Sequence, residues 1–164
     1  MNQQIRFCKS FDGTRIAYGM TGEGPPLVRA PHWLTHIEYE WQSPIWKPWI
    51  EALSRSHVLL RMDERGCGLS DWNVADISFE AWVRDLEAVV DAAGIERFAL
   101  LGHSQGGAIA TEYAVRHPER VAHLVLLGSY ARGAMKREPS AQGVDELDAQ
   151  LKLIEIGWGR DDPS

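Results

Sequence analysis

Hydrophobic and polar positions alternate near the start of the chain and form longer apolar runs further on. Residues 5–9 and 15–20 alternate on either side of Asp12-Gly13, a pattern typical of a β-hairpin. Residues 27–30, 57–62, 97–101 and 121–127 are instead short and mainly apolar, as in strands that are buried on both faces. The sequence therefore predicts an antiparallel edge followed by four buried strands.

Helices are predicted between these strands. Pro48 is the expected first residue of one helix, and Ser78 is the expected N-cap of a second helix that ends at Gly94. Asp85 lies opposite the apolar face of that second helix and is expected to face solvent. A third helix must end before Pro118. Strands that alternate with helices predict an α/β fold with a mostly parallel sheet, helices on both faces and a site at the carboxyl ends of the strands.

The pattern weakens after residue 127. Residues 128–143 are mixed, and the apolar spacing from Val144 to Ile154 predicts one more amphipathic helix. The last five residues carry no terminating feature, so we expect the C-terminal part of the fold to be missing. The strand that ends at Leu127 would then lack a neighbour, and self-association through this open sheet edge is expected.

The charge and composition of the chain limit the classes of molecule that it is expected to bind. The chain has 17 basic and 23 acidic residues and a formal net charge of −6, which argues against nucleic acid or an anionic membrane as a direct partner. No secretory signal or membrane-length apolar run is present in the sequence, so a cytoplasmic location and a small-molecule substrate or ligand are expected. Cys8 and Cys67 form no paired spacing and are expected to be reduced, partly buried thiols. No metal-ligand spacing or phosphate-binding loop occurs, so no metal or cofactor is predicted.

Candidate chemistry centres on Ser104. It follows a buried strand, precedes a helix and lies between Gly102 and Gly106 in a Gly-x-Ser-x-Gly pattern. Glycines are required where a sharp strand-to-helix turn would crowd a Cβ atom, so the pattern predicts a nucleophile elbow that exposes a strained Ser104. The start of the following helix favours developing negative charge. Acyl transfer by the Ser104 hydroxyl is the predicted chemistry.

The oxyanion formed in acyl transfer needs two hydrogen-bond donors. The backbone N–H of Gln105 is the first candidate, and the second is expected in the loop that follows the third strand. Pro31 has no N–H, so Trp33 is the preferred second donor and His32 the alternative. His103 is expected to line a substrate pocket or to pack beside it, and His32 and His36 either line the pocket mouth or pack within their loop.

Two further clusters keep two interpretations each. The first consists of four tryptophans, which either pack in the core or form an aromatic pocket wall: Trp33, Trp41, Trp46 and Trp49. The second is the run Asp63-Glu64-Arg65, for which a turn held by ion pairs is favoured over an acid pair.

Three motifs carry a resemblance to a known family. They are Gly102-His103-Ser104-Gln105-Gly106, the Asp63-x-Arg65-Gly66-x-Gly68-x-Ser70 pattern and the run from His117 to Val121. Together they resemble the α/β-hydrolase superfamily over about residues 7–130. The segments 33–36 and 63–72 are most similar to bacterial hydrolase-like domains that occur alone or fused to transcriptional regulators or nucleotide cyclases. The resemblance implies a core over residues 1–134 and the start of an incomplete cap or lid-like region over residues 135–164.

The chain departs from the family pattern in two places. Many members carry His-Gly after the third strand, where this chain has Pro31-His32. The family also places an acid and then a histidine after the serine, on loops that follow later strands. Only His117 and His123 follow Ser104, and both are expected at the opposite edge of the sheet. Asp145, Asp148, Asp161 and Asp162 come later, in or beside the cap-like region, so the triad cannot be assembled from this chain.

Two functions remain compatible with these features. One is a serine hydrolase, esterase-like, that acts on an ester or related acyl bond of a small molecule and is inactive as this truncated chain. The other is a non-catalytic small-molecule sensor domain of a bacterial signalling or transcription regulator.

Overall fold

Six strands form one mixed sheet in the computed structural model, which describes residues 3–130, 133 and 141–157. The sheet order is β1-β2-β4-β3-β5-β6, and the pairs β1–β2 and β2–β4 are antiparallel while the other neighbours are parallel. The predicted hairpin and the four further strands are confirmed. The strands are β1 (Gln4–Lys9), β2 (Arg15–Thr21), β3 (Pro26–Arg29), β4 (Val58–Met62), β5 (Phe98–His103) and β6 (Val121–Leu127).

The helices follow the predicted order. The structure has α1 (Trp46–Leu53), α2 (Phe79–Ala92), α3 (Gly106–Arg116) and α4 (Ala141–Gly157), and a short 3-10 helix at Tyr39–Trp41. The hydroxyl of Ser78 caps α2 by accepting from the Ala81 N–H at 3.2 Å, as predicted. Helix α1 begins two residues before Pro48, which lies in its first turn, where a missing N–H leaves no helical hydrogen bond unmade.

Side chains from the central strands pack on both faces of the sheet. On one face, Leu27, Leu59 and Leu101 form a cluster with Ile50 of α1. The residues next to them along the chain point the other way, because side chains alternate across a strand, and they pack with residues of α2 and α3: Val28, Leu60 and Leu100. The prediction of a mostly parallel sheet with helices on both faces is therefore confirmed.

Strand β6 is the last strand in the order of the described sheet. Its side chains from Leu124 to Leu127 remain 39–49% exposed. Self-association through this edge stays a prediction.

Contacts between Cα atoms divide the chain into two units, residues 1–129 and residues 130–164. In the second unit, helix α4 confirms the helix predicted from Val144 to Ile154. The predicted boundary between residues 134 and 135 lies outside the described residues. None of the described helices is both long enough and apolar enough to cross a membrane.

The prediction that Asp85 faces solvent is wrong. Asp85 is 1% exposed, and its two carboxylate oxygens accept hydrogen bonds of 2.6 and 2.7 Å from Nη2 and Nε of Arg65. Arg65 is itself buried and also pairs with Asp12 at 2.9 Å. The helical pattern marked Asp85 as polar, but only the fold reveals the arginine that lies opposite it.

Replacing Asp85 with alanine leaves the Arg65 guanidinium buried without its bidentate partner. We expect Asp85→Ala to lower the free energy of unfolding by about 3 kcal/mol, because the buried guanidinium loses its one fully buried partner and keeps only the partly exposed Asp12. Glu80→Ala is the matched control, since it removes an exposed partner of Arg116 and should leave stability nearly unchanged. Urea unfolding monitored by tryptophan fluorescence measures both variants, and equal effects would contradict the burial argument.

Candidate active site

Ser104 lies in a tight turn between the end of β5 and the start of α3, at the carboxyl end of the strand; we call residues 102–107 the Ser104 turn. The φ angle of Ser104 is +51°, in the left-handed region that non-glycine residues rarely adopt. Its N–H donates to the carbonyl of Leu127 at 3.0 Å, and its carbonyl accepts from the Gly107 N–H at 3.0 Å. The backbone on both sides therefore holds Ser104 in a strained conformation.

Three glycines make the Ser104 turn possible by allowing close backbone approach. A Cβ atom on Gly102 would lie 2.6 Å from the Cα of Gly107, and one on Gly106 would lie 2.5 Å from the carbonyl oxygen of Pro31. A Cβ atom on Gly107 would collide with the side chain of Ser129. The motif predicted the need for Gly102 and Gly106 but not for Gly107, because the neighbour of Gly107 comes from the loop after β6.

Gln105 is the N-cap residue of α3. No described residue accepts a hydrogen bond from its backbone N–H. This donor belongs to the first turn of a helix, where unpaired N–H groups and the helix dipole favour an anion. The geometry around Gln105 is thus suited to hold negative charge beside Ser104.

The loop after β3 lies against the Ser104 turn through Pro31. His32 is buried in this loop, where Nδ1 is 3.1 Å from the Trp33 carbonyl oxygen and the ring stacks on Trp46 at 4.6 Å between centroids. His36 stacks on Tyr39 at 3.9 Å. The side chain of Trp33 is 52% exposed, so it does not contribute to the core. His36 therefore packs within its loop, whereas His32 packs between the loop and Trp46 of α1.

A mainly apolar cavity of about 250 Å³ lies between α1 and the sheet. Trp46 and Trp49 form part of its wall, and Arg29 and His103 are its polar lining residues. His103 contacts Trp46 edge-on at 5.5 Å, and its Nδ1 is buried with no hydrogen-bond partner among the described residues. Burial lowers the pKa of His103, and the nearby His32 and Arg29 lower it further. His103 is therefore favoured in its neutral form at this cavity.

Buried ion pairs tie the 3-10 helix to two central strands. The Glu40 carboxylate accepts hydrogen bonds of 2.5 and 2.7 Å from Nη2 of Arg29 on β3 and also pairs with Arg61 on β4. Burial alone would raise the pKa of Glu40, but contacts with His32, Arg29 and Arg61 lower it to about 2. This cluster was missed in the sequence because its members are far apart and form no motif.

Ion pairs were predicted to hold the turn at Asp63-Glu64-Arg65, but only one of these three residues makes them. Only Arg65 makes such pairs, while Asp63 accepts backbone N–H groups of Ile37 and Leu69, each at 2.8 Å. Asp63 thereby holds the loops after β3 and β4 together. Glu64 follows neither interpretation and is directed towards the Ser104 turn.

Glu64 is 5% exposed and contacts both sides of the site. Its backbone N–H donates to Oγ1 of Thr35 at 2.7 Å, and its Oε1 accepts from Nε2 of Gln105 at 3.1 Å. Burial raises the pKa of Glu64 to about 7; the Gln105 contact lowers it and the charge of Asp85 raises it. This role was missed in the sequence, where Glu64 was interpreted only together with its charged neighbours.

The histidines after Ser104 lie at the other end of the sheet. His117 follows α3, and its Nε2 is 2.9 Å from Oε1 of Glu87. His123 pairs with Ala99 near the start of β5. After β6, the hydroxyl of Ser129 donates to the Gly102 carbonyl at 3.3 Å. Neither histidine is therefore placed to accept a proton from Ser104.

The later acidic candidates lie outside the first unit. Asp145 and Asp148 belong to α4 of the second unit, and Asp161 and Asp162 lie outside the described residues. The described ranges contain no cluster of three or more histidine, cysteine, aspartate or glutamate side chains that could hold a metal ion. Cys8 and Cys67 are free and partly buried, as predicted.

Comparison with known proteins decides the family. Residues 34–160 match the family model described as the alpha/beta hydrolase fold. The chain belongs to the α/β-hydrolase family. The superfamily resemblance seen in the sequence is therefore confirmed, and the relatives of this chain include hydrolases.

Individual relatives carry different chemistries. The chain is 39% identical over 87 residues to a putative carbamate hydrolase RutD from Azorhizobium caulinodans, covering 53% of this chain and 33% of the relative. It is 33% identical over 126 residues to a cis-3-alkyl-4-alkyloxetan-2-one decarboxylase from Shewanella oneidensis, covering 74% and 38%. The crystal structure of the esterase RhEst1 from Rhodococcus sp. aligns with a TM-score of 0.68 and 30% identity, covering 93% of this chain and 60% of that chain. The chain thus spans less than two fifths of the length of the two curated relatives, the carbamate hydrolase and the decarboxylase.

The raised pKa of Glu64 predicts a pH-dependent stability. The folded chain binds the proton of the Glu64 carboxyl more tightly than the unfolded chain does, in which the pKa is near 4.5. The free energy of unfolding therefore falls as pH rises from about 4.5 to about 7. We expect Glu64→Gln to be more stable than the parent chain by about 3 kcal/mol at pH 8 and by less than about 1 kcal/mol at pH 5.

Urea unfolding at the two pH values measures this difference. Glu80→Gln is the control, because Glu80 lies at the surface, and its difference from the parent chain should not grow with pH in this range. A constant difference between Glu64→Gln and the parent chain would show that the native carboxyl ionises normally.

Proposed function

We propose that this chain carries the nucleophile and the oxyanion-binding part of a serine hydrolase that acts on an ester or related acyl bond of a small organic molecule. The observation that carries the proposal is the left-handed φ angle of Ser104 in a turn between a strand and a helix. Such a nucleophile elbow presents the hydroxyl at the carboxyl end of the sheet. The carbamate hydrolase and esterase names of two relatives support acyl chemistry.

Each residue has a distinct role in this proposal. The Ser104 hydroxyl attacks the acyl carbon, and the backbone N–H of Gln105 donates to the oxyanion that forms. The backbone N–H of Trp33, in the loop that contacts the Ser104 turn, is the second donor. His32 and His103 contact each other, and both contact Trp46. Trp46 and His103 line the cavity, so the two histidines shape the substrate side of the site.

The proton acceptor is the part that the described chain does not provide. His117 pairs with Glu87, and His123 pairs with the start of β5, so neither fits the role of the general base. We therefore propose that the 164-residue chain has no appreciable ester turnover and that the acid and histidine come from further sequence. The localisation proposed for the hydrolase is cytoplasmic.

A fluorophosphonate probe and p-nitrophenyl acetate test this function. The 164-residue chain should hydrolyse the ester no faster than buffer does, and Ser104→Ala should change nothing. The product of an extended reading frame should react with the probe, and Ser104→Ala should abolish the labelling while Ser56→Ala, at a serine outside the Ser104 turn, should retain it. An extended product without labelling at Ser104 would contradict the hydrolase.

The cavity beside α1 favours a second candidate, a non-catalytic small-molecule sensor of a bacterial signalling or transcription regulator. Trp46 and Trp49 offer aromatic surface, and Arg29 and His103 offer polar contacts at a mainly apolar wall. Small apolar acids should then raise the melting temperature and quench tryptophan fluorescence in Ser104→Ala as strongly as in the parent chain. Ser104-dependent labelling of an extended product would exclude a purely non-catalytic sensor.

A further inference from the structure

Glu64 connects the two segments that carry the proposed oxyanion donors. Through its backbone N–H it holds Thr35, in the same loop as Trp33, at 2.7 Å. Through Oε1 it holds the side chain of Gln105 at 3.1 Å. The spacing of two oxyanion donors must be accurate to a few tenths of an ångström to stabilise a transition state. A single residue that contacts both segments is therefore well placed to set that spacing.

The surroundings of Glu64 do not fit a purely structural carboxylate. Its Oε2 atom is buried and has no hydrogen-bond partner among the described residues, and the adjacent Arg65 is directed at Asp12 and Asp85 instead. A buried carboxyl group destabilises a fold when it is ionised and has no cation beside it. A glutamine at this position would make the same contact with Gln105 without that cost, so the structural contact alone does not require an ionisable group.

We infer that Glu64 is a positioning residue for the oxyanion side of the site, and that its protonation state sets how firmly Gln105 is held relative to the loop after β3. The catalytic meaning of this inference rests on the proposed function. The link itself rests only on the contacts of Glu64 with Thr35 and Gln105.

The groups that face Glu64 make this link sensitive to pH near neutrality. Gln105 at the start of α3 donates to it, Asp85 on α2 adds negative charge, and the Cys67 thiol lies on its own turn. Burial raises the pKa of Glu64 to about 7. The ionised carboxylate accepts the Gln105 hydrogen bond more strongly than the neutral acid does, because a charge-assisted hydrogen bond is stronger. Gln105 is thus held firmly above neutral pH and less firmly below it.

Amide NMR of the isotopically labelled 164-residue chain between pH 5 and pH 9 tests this inference. We expect the backbone and side-chain amide signals of Gln105 and the backbone amide signal of Thr35 to titrate together, with a common midpoint near 7. In Glu64→Gln this titration should disappear while the remaining spectrum stays folded, because glutamine retains an oxygen that accepts from Gln105. Glu80→Gln, at the surface, should leave the midpoint unchanged.

The Glu64→Gln variant also distinguishes an effect of the Glu64 carboxyl on the amide signals from an effect of the imidazoles of His103 and His32, which lie near the site. Gln105 and Thr35 signals that do not titrate, that titrate with different midpoints, or that still titrate in Glu64→Gln would overturn the inference. The measurement needs no reaction at Ser104, so the titration should persist in Ser104→Ala. Failure of the probe to label Ser104 in an extended product would contradict the proposed function and leave this link intact.

Discussion

The close backbone packing at the start of α3 is the constraint on which the candidate site depends. Gly102, Gly106 and Gly107 bring the end of β5, the loop after β3 and the loop after β6 within contact distance of one another. A tight strand-to-helix turn follows, and Ser104 occupies it with a left-handed backbone. The hydroxyl and the first N–H groups of the helix thus come together through backbone geometry, before any side chain contributes.

Buried charges then fix the loops around that turn. Glu40 pairs with Arg29 and Arg61, and Asp85 pairs with Arg65 through two hydrogen bonds. In each cluster the opposite charges offset the free-energy cost of burying either charge alone. Asp63 adds backbone hydrogen bonds across the loops after β3 and β4. Glu64 differs from these groups, since it is buried beside the turn with a neutral partner.

The sequence predicted features whose cause is local. The Ser104 turn, the Ser78 cap and the order of strands and helices each follow from residues close together in the chain. Features that depend on partners brought together by folding were missed or wrong. Asp85 was predicted at the surface because its helical position says nothing of Arg65.

The same reason explains the remaining misses. Glu64 was treated with its neighbours because the contact with Gln105 spans 41 positions, and the Glu40 cluster draws on three separate elements. The roles of Gln105 and Trp33 as oxyanion donors stay predictions, since they depend on a reaction and not on the fold alone. Periodicity and motifs therefore locate the turn, but they do not reveal the polar contacts that surround it.

The stability of Gly102→Ala tests the central constraint most directly. The new Cβ atom would lie 2.6 Å from the Cα of Gly107 and 2.9 Å from the Cβ of Ala110, so the helix start must move. We predict a fall of about 1–3 kcal/mol in the free energy of unfolding. Gly157→Ala at the end of α4 is the control, because its Cβ atom would meet no other atom within 4 Å. A Gly102→Ala variant as stable as that control would contradict the dependence of the site on close backbone packing.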